Sequence, residues 1–193
     1  MSDSTTNWYD PIIAPFDHLG VRQWREWVVR DVRGRVLELG VGTGLNLPRY
    51  RAATAIAAID PDLGSLQHAL ARRNGKPITL HQARAEALPF AADSFDAVVA
   101  TLTFCSVGDP LRGLREAARV LKPGGAFRLV EHVRVDNRVI GGVQDALTPA
   151  WKRIAGNCHL NRDTLALVRQ AGFQVRGVRE HLGGIFIGID AIK

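Results

Sequence analysis

The chain has 193 residues, 46% of them apolar and 23% charged, which suits one soluble globular domain with room for a sizeable core. No apolar run approaches the roughly 18 residues that a membrane-crossing helix needs, and the first twenty residues lack a basic region followed by an apolar stretch, so neither a transmembrane segment nor a secretory signal is expected. The formal charge is +6, but the arginines are scattered and no aromatic stripe accompanies them, so nucleic acid is not an expected partner.

In chain order, residues 1–34 read as an N-terminal helical cap and 35–193 as the core. "RVLELG" reads as a buried strand, and the glycine-rich turn "GVGTG" after it leads into a helix. "TAIAAID" is a second strand, followed by the helix "PDLGSLQHALARRNG", which closes at Asn74-Gly75. "ITLHQA" and "FDAVVATLTF" are the third and fourth strands. Leu111, Leu114, Ala118 and Leu121 keep helical spacing until Pro123-Gly124-Gly125 stops them, and "AFRLVEHV" is the fifth strand. Asn161 is placed to cap "RDTLALVRQAG". Two closing runs flank Gly183-Gly184 as an antiparallel hairpin. The alternation gives an α/β fold, a seven-stranded, mostly parallel, doubly wound sheet with helices on both faces. Its ligand belongs beyond the carboxyl ends of the strands, where the glycine turn, Asp60, Ala85-Glu86, the 101–106 stretch and Glu131-His132 converge.

The turn spaces Gly40, Gly42 and Gly44 as GxGxG, which is not the dinucleotide GxGxxG, and no Walker lysine follows. A carboxylate at Glu38 disfavours a diphosphate and favours a cationic ligand, while Asp60, twenty positions after Gly40, suits a ribose diol. Cys105 and Cys158 lie far apart and outside any CxxC spacing. Cys158-His159 alone is a poor ligand set, so no metal site is expected.

"VLELGVGTG", "AIDPD" and the long stretch "ARAEALPFAADSFDAVVATLTFCSV" through "VEHV" together resemble the class I S-adenosylmethionine-dependent methyltransferases. That resemblance implies a Rossmann-like methyltransferase fold and S-adenosylmethionine as cofactor, with S-adenosylhomocysteine as product. Gly40, Gly42, Thr43 and Gly44 would receive the methionine part. Glu38 would lie near the ammonium or organise the loop, and Asp60 would hold the ribose. Pro61, Ala85 and Glu86 would border the adenine, and Thr101 and Leu102 would line the cofactor. Asn46 would bond backbone groups in the next helix or reach the cofactor.

"TLTFCSV", "EHV" and "PAWKRIAGNCHLNRDT" look like the thiol methyltransferase group and the small bacterial phosphatidylethanolamine N-methyltransferases. "YDPIIAPFDHL" with "GTGLNLPRY" is also similar to the quinone-biosynthesis methyltransferases. The expected acceptor is therefore a small, largely apolar thiol or lipid amine. A quinone or phenol, or a cofactor-binding module without turnover, stands as the alternative. His132 is the preferred base, with His159 and Glu131 beside it. Tyr9, Phe104, Cys105 and Trp151 join the two histidines as acceptor-pocket candidates, and Trp8 could form a lid with Tyr9. The cytoplasm is the expected compartment, with peripheral membrane contact left open.

Overall fold

A computed structural model describes residues 22–73 and 75–193; Trp8, Tyr9, Asn74 and most of the 1–34 cap lie outside the described residues. Counted among the described residues, α1 spans Arg22–Val29, β1 Gly34–Leu39, β2 Ala53–Asp60, α2 Leu63–Arg72, β3 Ile78–Gln82 and β4 Phe95–Thr101. Then come α3 (Pro110–Val120), β5 (Leu121–His132), α4 (Arg138–Ile154), α5 (Thr164–Gln170), β6 (Gln174–His181) and β7 (Phe186–Ile192). They build one seven-stranded sheet in the order β3-β2-β1-β4-β5-β7-β6. The first five strands are mutually parallel, and β7 runs antiparallel to both β5 and β6. The expected architecture is thus the observed one.

The central strands read as continuous apolar runs because both of their faces are covered. Leu37, Leu39, Val98, Phe127 and Leu129 pack on one side with Leu114, Ala117 and Val168 of α3 and α5. Val36, Val99 and Val130 point the other way, onto Val28 and Val29 of α1 and Leu66 and Ala69 of α2. From β1 the chain winds outward to β3, then returns to β4 on β1's other side. The crevice between the carboxyl ends of β1 and β4 is therefore the switch point.

Three local expectations are corrected. After the glycine turn there is only a short 3₁₀ turn at Leu47–Arg49, not a helix. Pro48 is tolerated in that first turn, but Tyr50 leaves it in extended conformation (φ −61°, ψ 130°), which ends the helix after one turn. The cap of α5 is Asp163, whose carboxylate accepts from Ala166 N at 2.9 Å. Asn161 instead donates to Asp145 at 3.0 Å. Strand β5 begins at Leu121 rather than Ala126, with a register irregularity over the Pro-Gly-Gly segment.

Residues 136–156, which carry no clear sequence pattern, form α4 behind an Asn137 cap. This helix is turned inside out. It buries Gly141, Gln144 and Thr148, and it exposes Val139, Val143, Leu147 and Ile154 by 76, 53, 55 and 62%. Gln144 explains the arrangement. Its side chain accepts from Val135 N at 2.8 Å and donates to the carbonyls of Val133 (2.9 Å) and Leu160 (3.1 Å), so polar bonds rather than apolar burial seat the helix.

Candidate functional site

At the end of β1 the chain turns sharply, and Gly40 and Gly42 take positive φ of 63° and 52°. A Cβ on Gly40 would stand 2.5 Å from the Thr103 side chain, whereas one on Gly42 would meet nothing within 4 Å. Gly40 therefore lets two loops touch, and Gly42 presents bare backbone to an open space. Gly44 packs on Ala69 of α2. Asp60, at the end of β2, accepts from Gly42 N (2.8 Å) and Asp62 N (2.9 Å), which holds its carboxylate at the rim; burial raises its pKa.

The space is a cavity of about 430 Å³. Of the residues assigned to the cofactor from sequence, Gly40, Gly42, Thr43, Asp60, Pro61, Ala85, Glu86, Thr101 and Leu102 line it. Glu38, Gly44 and Asn46 do not. Glu38 shares the α1 side of β1 with Val36, because side chains alternate along a strand. There it is 1% exposed and accepts from Tyr50 Oη and Asn46 Nδ2, both at 2.9 Å. Burial pushes its pKa up to about 7. Asn46 also donates to Thr101 Oγ1 at 3.1 Å. Glu38 thus organises the loop from behind, and among the described residues the Asn46 side chain bonds those of Glu38, Thr101 and Arg25 rather than backbone groups. Tyr50 has no sequence signal beyond its spacing from Glu38.

The wall is mixed rather than acid-lined. Arg25 and Arg84 stand on it with Asp60 and Glu86, and Thr103, Ser106 and Asn157 complete the far side. The Glu86 carboxylate is turned to Gly108 N (3.1 Å) and Asp109 N (3.3 Å) and fixes the loop before α3.

That far side is a short loop whose backbone groups are bonded almost one by one. Glu131, fully buried, accepts from the N–H groups of Thr103 and Phe104 (both 2.7 Å) and Cys105 (3.1 Å). Arg162 donates to the Phe104 carbonyl. His159 N donates to the Cys105 carbonyl at 2.9 Å, and Asn157 Nδ2 to the Ser106 carbonyl at 3.0 Å. The stretch "NCHLNR", which sequence alone gave only as part of a resemblance, is therefore a brace for residues 104–106. Leu102, at the loop's start, is held at φ 54°, unusual for a residue with a Cβ and frequent at functional sites.

The acceptor candidates separate accordingly. Phe104 is fully buried in the core, its ring 6.4 Å from Phe127, so it is no pocket wall. His159 serves the loop and is absent from the cavity lining, as are Cys105, His132 and Trp151. His132 Nε2 lies 2.7 Å from Cys158 Sγ. Burial opposes its charge, but the bond to Cys158 raises its pKa overall. The Cys105 thiol and the His132 ring lower that of Cys158, while Cys105 is itself raised. The arrangement is a hydrogen-bonded Cys158–His132 pair with Cys105 beside it, set behind the wall. Sequence reasoning joined Cys158 to its neighbour His159; the fold joins it to His132 and Cys105.

Residues 37–129 match the family model described as a methyltransferase domain. The chain is 34% identical over 157 residues to thiol S-methyltransferase TMT1B of Rattus norvegicus, covering 75% of this chain and 64% of that protein. It is 37% identical over 118 residues to a phosphatidylethanolamine N-methyltransferase of Cereibacter sphaeroides, covering 59% and 58%. The chain thus spans about three fifths of the length of these curated relatives. A crystal structure from Thermotoga maritima, titled an S-adenosylmethionine-dependent methyltransferase and possible histamine N-methyltransferase, superposes with a TM-score of 0.71 at 25% identity, over 98% of this chain and 96% of that one.

Proposed function

The chain belongs to the class I S-adenosylmethionine-dependent methyltransferases, and from that premise we propose that it transfers the sulfonium methyl by direct displacement to a small apolar acceptor, a thiol first. The observation that carries this reading is the cavity at the switch point, with the bare backbone of Gly42 on one side, Asp60 beside it and the braced 102–106 loop opposite. Bare backbone admits the methionine part, and Asp60 retains lone pairs for the ribose hydroxyls while fixing Gly42. Pro61, Ala85 and Glu86 border the adenine, and Thr101 and Leu102 line the cofactor from β4.

The methyl is already activated on the sulfonium, so the protein's task is alignment, exclusion of water and, for a thiol, removal of one proton. A rigid loop facing the cofactor serves the first two. For the third, His132 is not a free base, since its Nε2 is engaged with Cys158. Any role in proton removal runs through that pair. The curated thiol S-methyltransferase relatives support a thiol.

A second reading, a lipid amine methylated at a bilayer, is favoured by α4. No helix among the described residues is long and apolar enough to cross a membrane. The outward stripe Val139, Val143, Leu147, Ile154, beside the basic Arg138, Lys152 and Arg153, suits adsorption to an anionic bilayer. The helix ends two residues before Gly156 and Asn157 on the cavity wall, so adsorption there would bring the site to the lipid.

The test follows S-adenosylhomocysteine release from the full chain with alkyl and aryl thiols, phenols and phosphatidylethanolamine vesicles as separate acceptors. Turnover with thiols is expected. Turnover only with vesicles would install the second reading. Cofactor binding without turnover on any acceptor would leave a binding module, and preferential binding of NAD would overturn the assignment altogether.

A further inference from the structure

Behind the cavity wall three distant parts of the chain meet. Cys105 comes from the loop after β4, His132 from the last position of β5 and Cys158 from the segment after α4. One ligand atom from each lies within 4.8 Å of the others. Both cysteines are reduced and buried. The nitrogen that faces the sulfurs is Nε2, while the second ring nitrogen, Nδ1, is buried with no hydrogen-bond partner among the described residues. The neighbouring carboxylate, Glu131, is committed to three backbone N–H groups, which leaves two sulfurs and an imidazole nitrogen as the donor set.

Two thiolates and an imidazole form a soft set that suits Zn²⁺ rather than Mg²⁺ or Ca²⁺. Three protein ligands with one position left over is the arrangement of catalytic rather than structural zinc. The surroundings agree. Ser106, next to Cys105, and Asn157, next to Cys158, both line the cavity, so the cluster stands one residue behind the wall on two sides. The fold supplies rigidity too, since Cys105 is held through its N–H by Glu131 and through its carbonyl by His159.

We propose that Cys105, His132 and Cys158 form a binding site for one soft divalent cation, Zn²⁺, with a fourth position that takes the sulfur of the acceptor. Loading the site releases two protons to solvent, that of the Cys105 thiol and the one held between Cys158 and His132. An acceptor thiol entering the fourth position loses its own proton in the same way, so it is a thiolate at neutral pH. Its sulfur then forms a bond to the methyl carbon as the carbon–sulfonium bond breaks. The products are the methyl thioether and S-adenosylhomocysteine, and the neutral thioether is a weak ligand that leaves. The cation site stands independently of the proposed function; its role in activating the acceptor rests on the thiol reading.

The experiment strips the reduced full chain with a chelator under inert gas and titrates it with Co²⁺ as a spectroscopic stand-in. About one equivalent should bind with a sulfur-to-cobalt charge-transfer band and tetrahedral ligand-field bands, and Zn²⁺ should abolish both. Cys158→Ala should weaken Co²⁺ binding by about 100-fold or more while keeping its far-UV dichroism and its affinity for S-adenosylhomocysteine. Should that variant unfold, the wild-type titration decides alone. Absence of the charge-transfer band, or a Cys105–Cys158 disulfide persisting under reductant, overturns the site. A loaded chain that methylates no thiol keeps the site and removes the thiol reading. Undiminished thiol turnover by the stripped chain keeps the reading and overturns the activating role.

Discussion

The two rims of the cavity each depend on a buried glutamate at a strand end, and they use it in opposite ways. On the rim we assign to the cofactor, Glu38 is held by side chains, Tyr50 and Asn46. On the rim we assign to the acceptor, Glu131 is held by three backbone N–H groups of residues 103–105. A side-chain clamp needs particular residue types at particular spacings, so the cofactor rim is tied to its sequence. A backbone clamp specifies the path of a loop and leaves its side chains free. The cofactor rim should therefore be the less forgiving of the two.

The largest effect expected is at the point where the rims touch. Gly40→Val forces a β-branched residue to positive φ and drives its Cβ into Thr103, at a cost of about 4 kcal/mol in thermal unfolding. A second change, Thr103→Ala, should recover part of it; no recovery would mean that the rims are not in contact there. Next is the proton on Glu38. The ordinary carboxyl value is 4.5 and the folded one about 7. Between those pH values the folded chain keeps a proton that the unfolded chain has lost. Stability from this group should thus fall as pH rises through that window, by about 3 kcal/mol. Chemical denaturation of the wild type against Glu38→Gln from pH 4.5 to 7 reads it, and parallel pH profiles would show that Glu38 is not the source.

Asp60→Ala should weaken binding of S-adenosylhomocysteine by about 1–3 kcal/mol in calorimetry, through the ribose bonds and a freed Gly42. Unchanged affinity would remove Asp60 from the cofactor site. The smallest effect sharpens the contrast from the other side. Leu147→Asp on α4 should change unfolding stability by less than about 0.5 kcal/mol, because its side chain is already more than half exposed. The same variant should lose adsorption to anionic vesicles, read by flotation; equal adsorption would dismiss α4 as the contact face.

The same division explains what could be read in advance. Apolar runs on β1, β2, β4 and β5, the helical spacing of Leu111, Leu114 and Ala118 on α3 and the glycines of the first turn each carry a local signal, and the sheet follows from them. The glycine-turn rim was legible because a sharp turn at positive φ demands glycine at Gly40 and Gly42, and Asp60 is the acidic residue that ends the next strand. Helix α4 was not, since its buried face is Gly141, Gln144 and Thr148, which presents no apolar period toward the core. The Cys105–His132–Cys158 cluster was also hidden, because its members are 26 and 27 residues apart in sequence and only the packing of the segment after α4 on the loop after β4 and the end of β5 brings them together. Adjacency in sequence pointed to His159, whose ring and N–H instead face the Cys105 carbonyl.

The brace of residues 157–162 carries an evolutionary consequence. Because it grips carbonyls rather than side chains, the short segment it holds can exchange residues while keeping its course. On the proposed assignment, new acceptor chemistries can then be tried on one bank of the crevice without redesigning the nucleoside bank opposite. Divergence of acceptor choice within one inherited scaffold needs no more than that.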